Sequence, residues 1–113
     1  TIKEIIGHLT DTERIFGYRA LRFARHDQTN LPGYEENDYV ANANFQNRSF
    51  YNLVHEFNLV RESNIALFKS FDESALSQFG TANGNKISVR AIIFTIAGHE
   101  LHHLNVIRER YLK

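Results

Sequence analysis

The chain has 113 residues, which is enough for one domain with a hydrophobic core and too few for two domains. Hydrophobic residues make up 42% of the sequence and charged residues 23%, which excludes a disordered, collagen-like or low-complexity chain. The 13 basic and 13 acidic residues cancel, and this excludes the sequence-independent phosphate binding that needs a strong basic excess. Nucleic acid is therefore not an expected partner.

Methionine and cysteine are both absent. Because translation begins with Met and this sequence begins with Thr1, we expect a trimmed chain or a fragment. The lack of Cys excludes disulfides and thiolate metal sites, so any metal would be bound by imidazole and carboxylate groups. The apolar stretch of residues 87–104 is interrupted by charged and histidine side chains, and no membrane span or signal peptide is expected. We therefore expect a soluble cytoplasmic protein that does not associate with membranes.

A first helix is predicted for residues 1–25, where apolar side chains recur at helical spacing. Thr1 and Glu4 fit a capping box, in which the hydroxyl and the carboxylate each accept from a free backbone amide. Residues 28–47 contain Pro32-Gly33 and several Asn without a sustained period, which predicts a long connection. Loops of this length are usually functional or cross over the end of a bundle.

Two further helices are predicted for residues 49–71 and 88–112. The candidate N-cap is Ser49 or Asn47 for the first of them and Ser88 for the second. Residues 72–86 are predicted to be a second loop, and no strand is predicted.

The predicted fold class is therefore all-α, an antiparallel bundle with a long crossover loop. Such bundles most often have four helices, and only three are visible here. We expect residues 1–113 to form a single domain whose first helix is missing. The alternative is a three-helix protomer that completes its core as a homodimer. Either arrangement predicts an exposed apolar groove in this chain alone.

Residues 99–103, His-Glu-Leu-His-His, are the most chemically informative segment. On a helix His99 and His103 are four residues apart, with Cβ atoms about 6 Å apart on one face. They share the arc of Ile92 and Ile96 and are predicted to point into the bundle, whereas His102 is predicted to face solvent. Two imidazoles so placed could share one metal ion.

The alternative is that these are neutral core histidines, each hydrogen-bonded to a backbone or side-chain acceptor. A third ligand would favour the metal, and His8, on the flank of the first apolar stripe, is the candidate. His26 and His55 are predicted to lie at the surface.

The same segment matches the H-E-x-x-H signature of zinc peptidases, in which the Glu is the general base. Only ten residues follow His103, and they supply no downstream ligand. A peptidase is therefore disfavoured. Glu100 could be a base for metal-bound water. Alternatively, its carboxylate could support a metal ligand or lie at the surface of the helix.

Arg19 and Arg61 are predicted to bind substrate. Arg19 lies on the His8 flank, where it could bind an anionic group bidentately or remain solvated. Arg61 lies near the apolar stripe of its helix; since burying an unpaired guanidinium is costly, it is predicted to pair with an internal carboxylate or to face the pocket.

Three more side chains are candidates for supporting roles. Asp11 could orient His8 as an outer acceptor or could be an ordinary surface charge. Tyr34 and Tyr39 could close the pocket or pack on the bundle as loop anchors.

Three ordered motifs resemble the DinB/YfiT-like superfamily over essentially the whole chain. They are Gly7-His8-Leu9-Thr10-Asp11-Thr12-Glu13-Arg14, then Leu31-Pro32-Gly33-Tyr34 followed by Asp38-Tyr39-Val40, and Ala97-Gly98-His99-Glu100-Leu101-His102-His103. The resemblance implies a four-helix bundle in which His8, His99 and His103 bind a divalent metal. The first helix of that family has no counterpart before Thr1.

Three imidazoles leave coordination positions open, which is typical of catalytic sites. The ion could lower the pKa of a bound water or hold a thiolate. The resemblance to the superfamily implies metal-dependent chemistry with low-molecular-weight thiols, since its members include thiol transferases. With both indications we expect a metal-dependent hydrolase or thiol S-transferase that acts on a small molecule such as a low-molecular-weight thiol. The metal could be Zn, Ni or Fe, and no catalytic side chain is predicted. Two alternatives remain: a non-catalytic metal-binding or small-molecule-binding domain, and a helical interaction module that needs no metal.

Overall fold

Three long helices, two short helices and a β-hairpin make up the chain in the computed structural model, which describes residues 1–111. In chain order the elements are α1 (Ile2–Ala24), α2 (Glu36–Ala43), a 3₁₀ turn (Phe45–Asn47), α3 (Phe50–Lys69), α4 (Glu73–Leu76), β1 (Phe79–Ala82), β2 (Asn85–Ser88) and α5 (Val89–Tyr111). The predicted all-α class is confirmed, with the hairpin as its only sheet in this part of the chain.

The three predicted long helices correspond to α1, α3 and α5, and their predicted N-caps are present. Thr1 and Glu4 form the capping box. The hydroxyl of Ser49 accepts from the amide of Asn52 at 3.0 Å, and that of Ser88 accepts from the amide of Ala91 at the same distance. The predicted end of the last helix, Leu112, lies outside the described residues.

The two predicted loops contain more regular structure than expected. The first includes α2 and the 3₁₀ turn, and the second includes α4 and most of the hairpin. The prediction that no strand is present was wrong. Each strand has only four residues, too few for a clear period, but Asn83-Gly84 between them is a hairpin signal. Both residues have positive φ, 52° and 76°, as a type I′ turn requires.

Helix α1 lies at the centre of the bundle and packs against both α3 and α5. Glu13 contacts Arg61, and Gly17 lies against Asn64, so α3 runs parallel to α1. His8, in the first half of α1, contacts His99 in the middle of α5. Phe23 at the end of α1, by contrast, shares the core with Val89 at the start of α5, so α5 is antiparallel to α1. The long connection between α1 and α3 therefore runs back along the bundle, as a crossover must.

The hydrophobic core lies where the C-terminal half of α1, the N-terminal half of α5 and the hairpin meet. Phe23 and Val89 are fully buried there. Gly80 is required by this packing, because a Cβ at that position would lie 2.2 Å from the Phe23 ring. Leu31 joins the crossover segment to β1: its amide donates to the carbonyl of Thr81 at 2.9 Å.

An apolar groove of about 340 Å³ lies at the other end of the bundle, between α1, α3 and α5. Phe50 and Leu104 in its walls are 53% and 46% exposed, so the predicted exposed groove is confirmed. That a missing helix or a homodimer partner fills it stays a prediction, as does the single-domain assignment of residues 1–113. None of the described helices is long and apolar enough to cross a membrane.

Candidate metal centre

Three histidines from two helices meet between α1 and α5. His8 comes from the first half of α1, and His99 and His103 come from successive turns of α5. Ile92 and Ile96, on the same face of α5, are buried against the core, and this fixes the rotation that turns both histidines toward α1. The predicted trio is thus brought together by the antiparallel packing of two helices.

The Nε2 atoms of the three rings converge. Nε2 of His99 lies 3.3 Å from Nε2 of His8 and 3.1 Å from Nε2 of His103. The ligand atoms of all three rings lie within 4.8 Å of one another, and each ring is half-buried. The rings meet edge to face, with centroids 4.5 to 5.1 Å apart.

These spacings fit a shared metal ion. Two imidazole nitrogens that bind one ion at about 2.0–2.1 Å with a tetrahedral angle lie roughly 3.3–3.4 Å apart. The observed separations of 3.3 and 3.1 Å match that value closely. The group can therefore hold a metal ion and would leave further coordination positions to other ligands.

The alternative of separately satisfied core histidines fits less well. Among the described residues, the only hydrogen-bond partners of these three rings are one another. A neutral imidazole carries one N–H and one lone pair, so Nε2 of His99 can make only one of its two short contacts as a good hydrogen bond. A cation would satisfy all three nitrogens at once.

Burial lowers the pKa of His8, of His99 and of His103, because desolvation disfavours the charged imidazolium. The positive charge that each ring would carry lowers the pKa of a neighbouring ring further. All three are therefore held neutral near pH 7, the form in which the nitrogen lone pairs are available to a metal.

Glu36, in the first turn of α2, is a residue that the sequence analysis missed. The negative charge of its carboxylate acts to raise the pKa of all three histidines and so opposes the larger effect of burial. The side chain of Glu36 is exposed. Nothing in the local sequence marks it, since the crossover segment had no assigned structure and the carboxylate is brought near the histidines only by the fold. Asp11, the predicted outer acceptor, makes no hydrogen bond to His8 in the described structure and only raises the pKa of that histidine.

Arg61 is paired with internal carboxylates, one of its two predicted arrangements. Its guanidinium donates to Glu13 at 2.6 Å and also to Glu100. The carboxylate of Glu13 is 3% exposed and also accepts a hydrogen bond from Asn64 at 3.1 Å. Glu100 follows His99, so this network connects α1, α3 and α5 beside the histidines. The helical wheel of α1 could have identified Glu13, because it falls on the inner face with Leu9 and Ala20.

Arg19 lies away from the histidines. It is eleven residues beyond His8 on α1, about 16 Å along the helix axis. Its guanidinium donates to the carbonyl of Pro32 at 3.0 Å. The hydroxyl of Tyr34 hydrogen-bonds that of Thr12 at 3.0 Å, and its ring contacts that of Tyr39 with centroids 5.0 Å apart. Both tyrosines therefore pack the crossover segment on α1. Substrate binding by Arg19 and Arg61 stays a prediction.

The remaining histidines are exposed, as predicted. His26 follows the end of α1 with a φ of 64°, and His55 stacks on Tyr51 with ring centroids 6.0 Å apart. His102 lies on the outer side of α5.

The family model of the DinB superfamily matches residues 1–107, which include all three clustered histidines. The chain belongs to the DinB superfamily. The resemblance inferred from the three motifs is thereby confirmed. No curated protein and no solved structure shows a significant match to this DinB superfamily chain. Family membership and the histidine geometry agree on a helical protein with a three-histidine group that could hold a metal.

Proposed function

We propose that His8, His99 and His103 bind one divalent metal ion and that the protein is a metal-dependent hydrolase or thiol S-transferase acting on a small molecule. The observation that carries the proposal is that Nε2 of His99 lies 3.3 Å from that of His8 and 3.1 Å from that of His103, with the ligand atoms of all three rings within 4.8 Å of one another. Imidazole ligands suit Zn, Ni and Fe alike. When bound, such an ion supplies Lewis-acid chemistry that activates a water or a thiol.

The protein's own residues have three roles in this proposal. The three histidines, kept neutral by burial, supply the lone pairs that hold the ion. Arg61 pairs with Glu100 and Glu13, and it therefore helps to fix the helix that carries His99. The negative charge of Glu36 stabilises positive charge in the cluster.

A non-catalytic metal-binding or small-molecule-binding domain is the second candidate. It is favoured by the state of Glu100, the general base of the H-E-x-x-H pattern, because that carboxylate is ion-paired with Arg61 and is not directed at the histidines by any described hydrogen bond. Without a base beside the ion, the site could bind a ligand without turning it over.

The experiment has two stages. Metal analysis of the purified protein, with thermal melting after addition of Zn²⁺ or Ni²⁺, tests the metal: about one ion per chain and a raised Tm are expected. Absence of both effects would exclude the metal-dependent enzyme and the metal-binding domain, and it would leave a helical interaction module. Conjugation of a low-molecular-weight thiol to an electrophile, compared between the native protein and His103→Ala, then tests catalysis. Equal rates would leave the binding domain.

A further inference from the structure

A cavity of about 350 Å³ lies between residues 14–22 of α1 and the crossover segment at residues 31–39. Its volume is at the small end of the range for ligand pockets. The metal centre lies further toward the start of α1, since Arg19 is about 16 Å from His8 along the axis. The hydrogen bond between Thr12 and Tyr34 lies between the two sites.

The walls of this cavity are largely aromatic and apolar. Tyr18, Tyr34 and Tyr39 contribute rings, and Ile15 and Leu31 contribute aliphatic surface. The tyrosines are held in place: the hydroxyl of Tyr34 is bonded to Thr12, its ring contacts Tyr39, and the hydroxyl of Tyr18 accepts from Arg22 at 3.1 Å. Tyr18 and Tyr39 are nevertheless 54% and 45% exposed, so flat apolar surface remains open to a ligand.

Three arginines line the cavity, and two of them have carboxylate partners. Arg14 pairs with Glu56 at 2.5 Å, a carboxylate that it shares with Arg48, and Arg22 pairs with Asp27 at 2.7 Å. Arg19 has no carboxylate partner among the described residues; its one hydrogen bond goes to the carbonyl of Pro32. A guanidinium has five N–H donors, so most of its donors are available within the pocket.

The Arg19 guanidinium is also fixed in position. Its central carbon lies 5.3 Å from the ring centroid of Phe16 and 5.9 Å from that of Tyr34. Two neighbouring aromatic rings, together with the bond to Pro32, leave little conformational freedom to lose when an anion binds. One preorganised, uncompensated positive charge therefore lies beside flat apolar walls.

We propose that this pocket binds a small aromatic carboxylate, at a site separate from the metal centre. Arg19 pairs with the carboxylate through parallel N–H···O bonds, and the ring of the ligand packs against the tyrosines. A single unpaired guanidinium balances one negative charge, which favours a carboxylate over a dianionic phosphate. Because the binding uses no histidine, it goes beyond the proposed function and does not depend on it.

Isothermal titration of the chelator-treated full chain with phenylacetate tests the proposal. Saturable binding is expected, with at least about tenfold weaker binding of the uncharged isostere phenylacetamide and of the Arg19→Gln variant. Arg19→Lys keeps the charge but loses the planar fork, so an intermediate loss is expected. Arg14→Gln, in the wall of the same pocket, is the matched control and is expected to bind phenylacetate within twofold of the native chain.

Several results would overturn the proposal. They are no saturable binding of phenylacetate, equal binding of phenylacetamide, tighter binding of inorganic phosphate, or the same affinity in Arg19→Gln as in the native chain. Loss of binding in His103→Ala would place the anion at the metal centre instead. Thermal melting of each variant identifies a folding defect, and in that case the comparison of phenylacetate with phenylacetamide on the native chain decides alone.

Discussion

Nε2 of His8 lies 3.3 Å from Nε2 of His99, although 91 positions separate the two residues in the chain. This contact joins α1 to α5 and creates the only group of three metal-ligand side chains that the described residues contain. His103 completes the group from the next turn of α5. Each histidine can be replaced separately, and the effect on metal binding can be compared with that of a control substitution on the same helix.

Replacing His99 with Ala removes the nitrogen that lies between the other two. We expect the affinity for Zn²⁺ to fall by at least about 100-fold, since even an outer partner of a metal ligand contributes 10–100-fold. Isothermal titration measures it. His102→Ala, an exposed site on the same helix, serves as the control and is expected to bind Zn²⁺ as the native chain does. Equal losses in both variants would contradict the assigned ligand set.

The stability of the metal-free protein is expected to depend on pH below neutrality. Burial lowers the pKa of His8, His99 and His103 in the folded chain, whereas in the unfolded chain they titrate near their ordinary pKa of about 6.5. As pH falls below that value, the unfolded chain binds more protons than the folded chain. The free energy of unfolding therefore decreases from about pH 7 toward pH 5 and shows little dependence on these groups above about pH 7.5.

Urea denaturation at a series of pH values measures this dependence. In His99→Gln the slope between about pH 7 and pH 5.5 is expected to decrease, because one of the three depressed groups is gone. An unchanged slope would show that the histidine cluster does not cause the effect.

Removing Arg61 leaves a buried carboxylate without its partner. Glu13 is 3% exposed, so Arg61→Ala is expected to destabilise the fold by roughly 3–5 kcal/mol. The matched comparison is Arg90→Ala, whose partner Glu73 is 86% exposed and whose loss is expected to change stability by about 1 kcal/mol or less. Chemical denaturation of both variants gives the two values. Similar values would argue against the internal network.

Two glycines give opposite expectations for the same substitution. Gly80→Ala places a Cβ against the Phe23 ring and is expected to destabilise the chain by about 1–3 kcal/mol. Gly98→Ala adds a methyl group on helix α5 that would meet no other part of the structure within 4 Å beyond the adjoining helix backbone, and it is expected to stabilise the chain by about 0.5–1 kcal/mol. Thermal melting checks both signs, and a stable Gly80→Ala variant would contradict the packing of the hairpin on α1.

Helix periodicity was sufficient to predict α1, α3 and α5, because each carries an apolar stripe over more than five turns. The short elements were missed because they are too short to show such a stripe. Helix α4 and the two strands have four residues each, less than the length over which a period can be recognised. Within residues 72–86 the Asn83-Gly84 pair is the one local signal for a hairpin.

By itself, the sequence determined the all-α class, the helix starts at Thr1, Ser49 and Ser88, and the placement of His99 and His103 on one inner face. These features depend on neighbours within a few residues, where spacing fixes geometry. Only the tertiary structure decided that His8 joins them, that Arg61 pairs with Glu13, and that Arg19 lies in a separate pocket. The physical reason is that contacts between helices depend on their relative direction and rotation, which are set by burial of the whole core and by the course of the crossover.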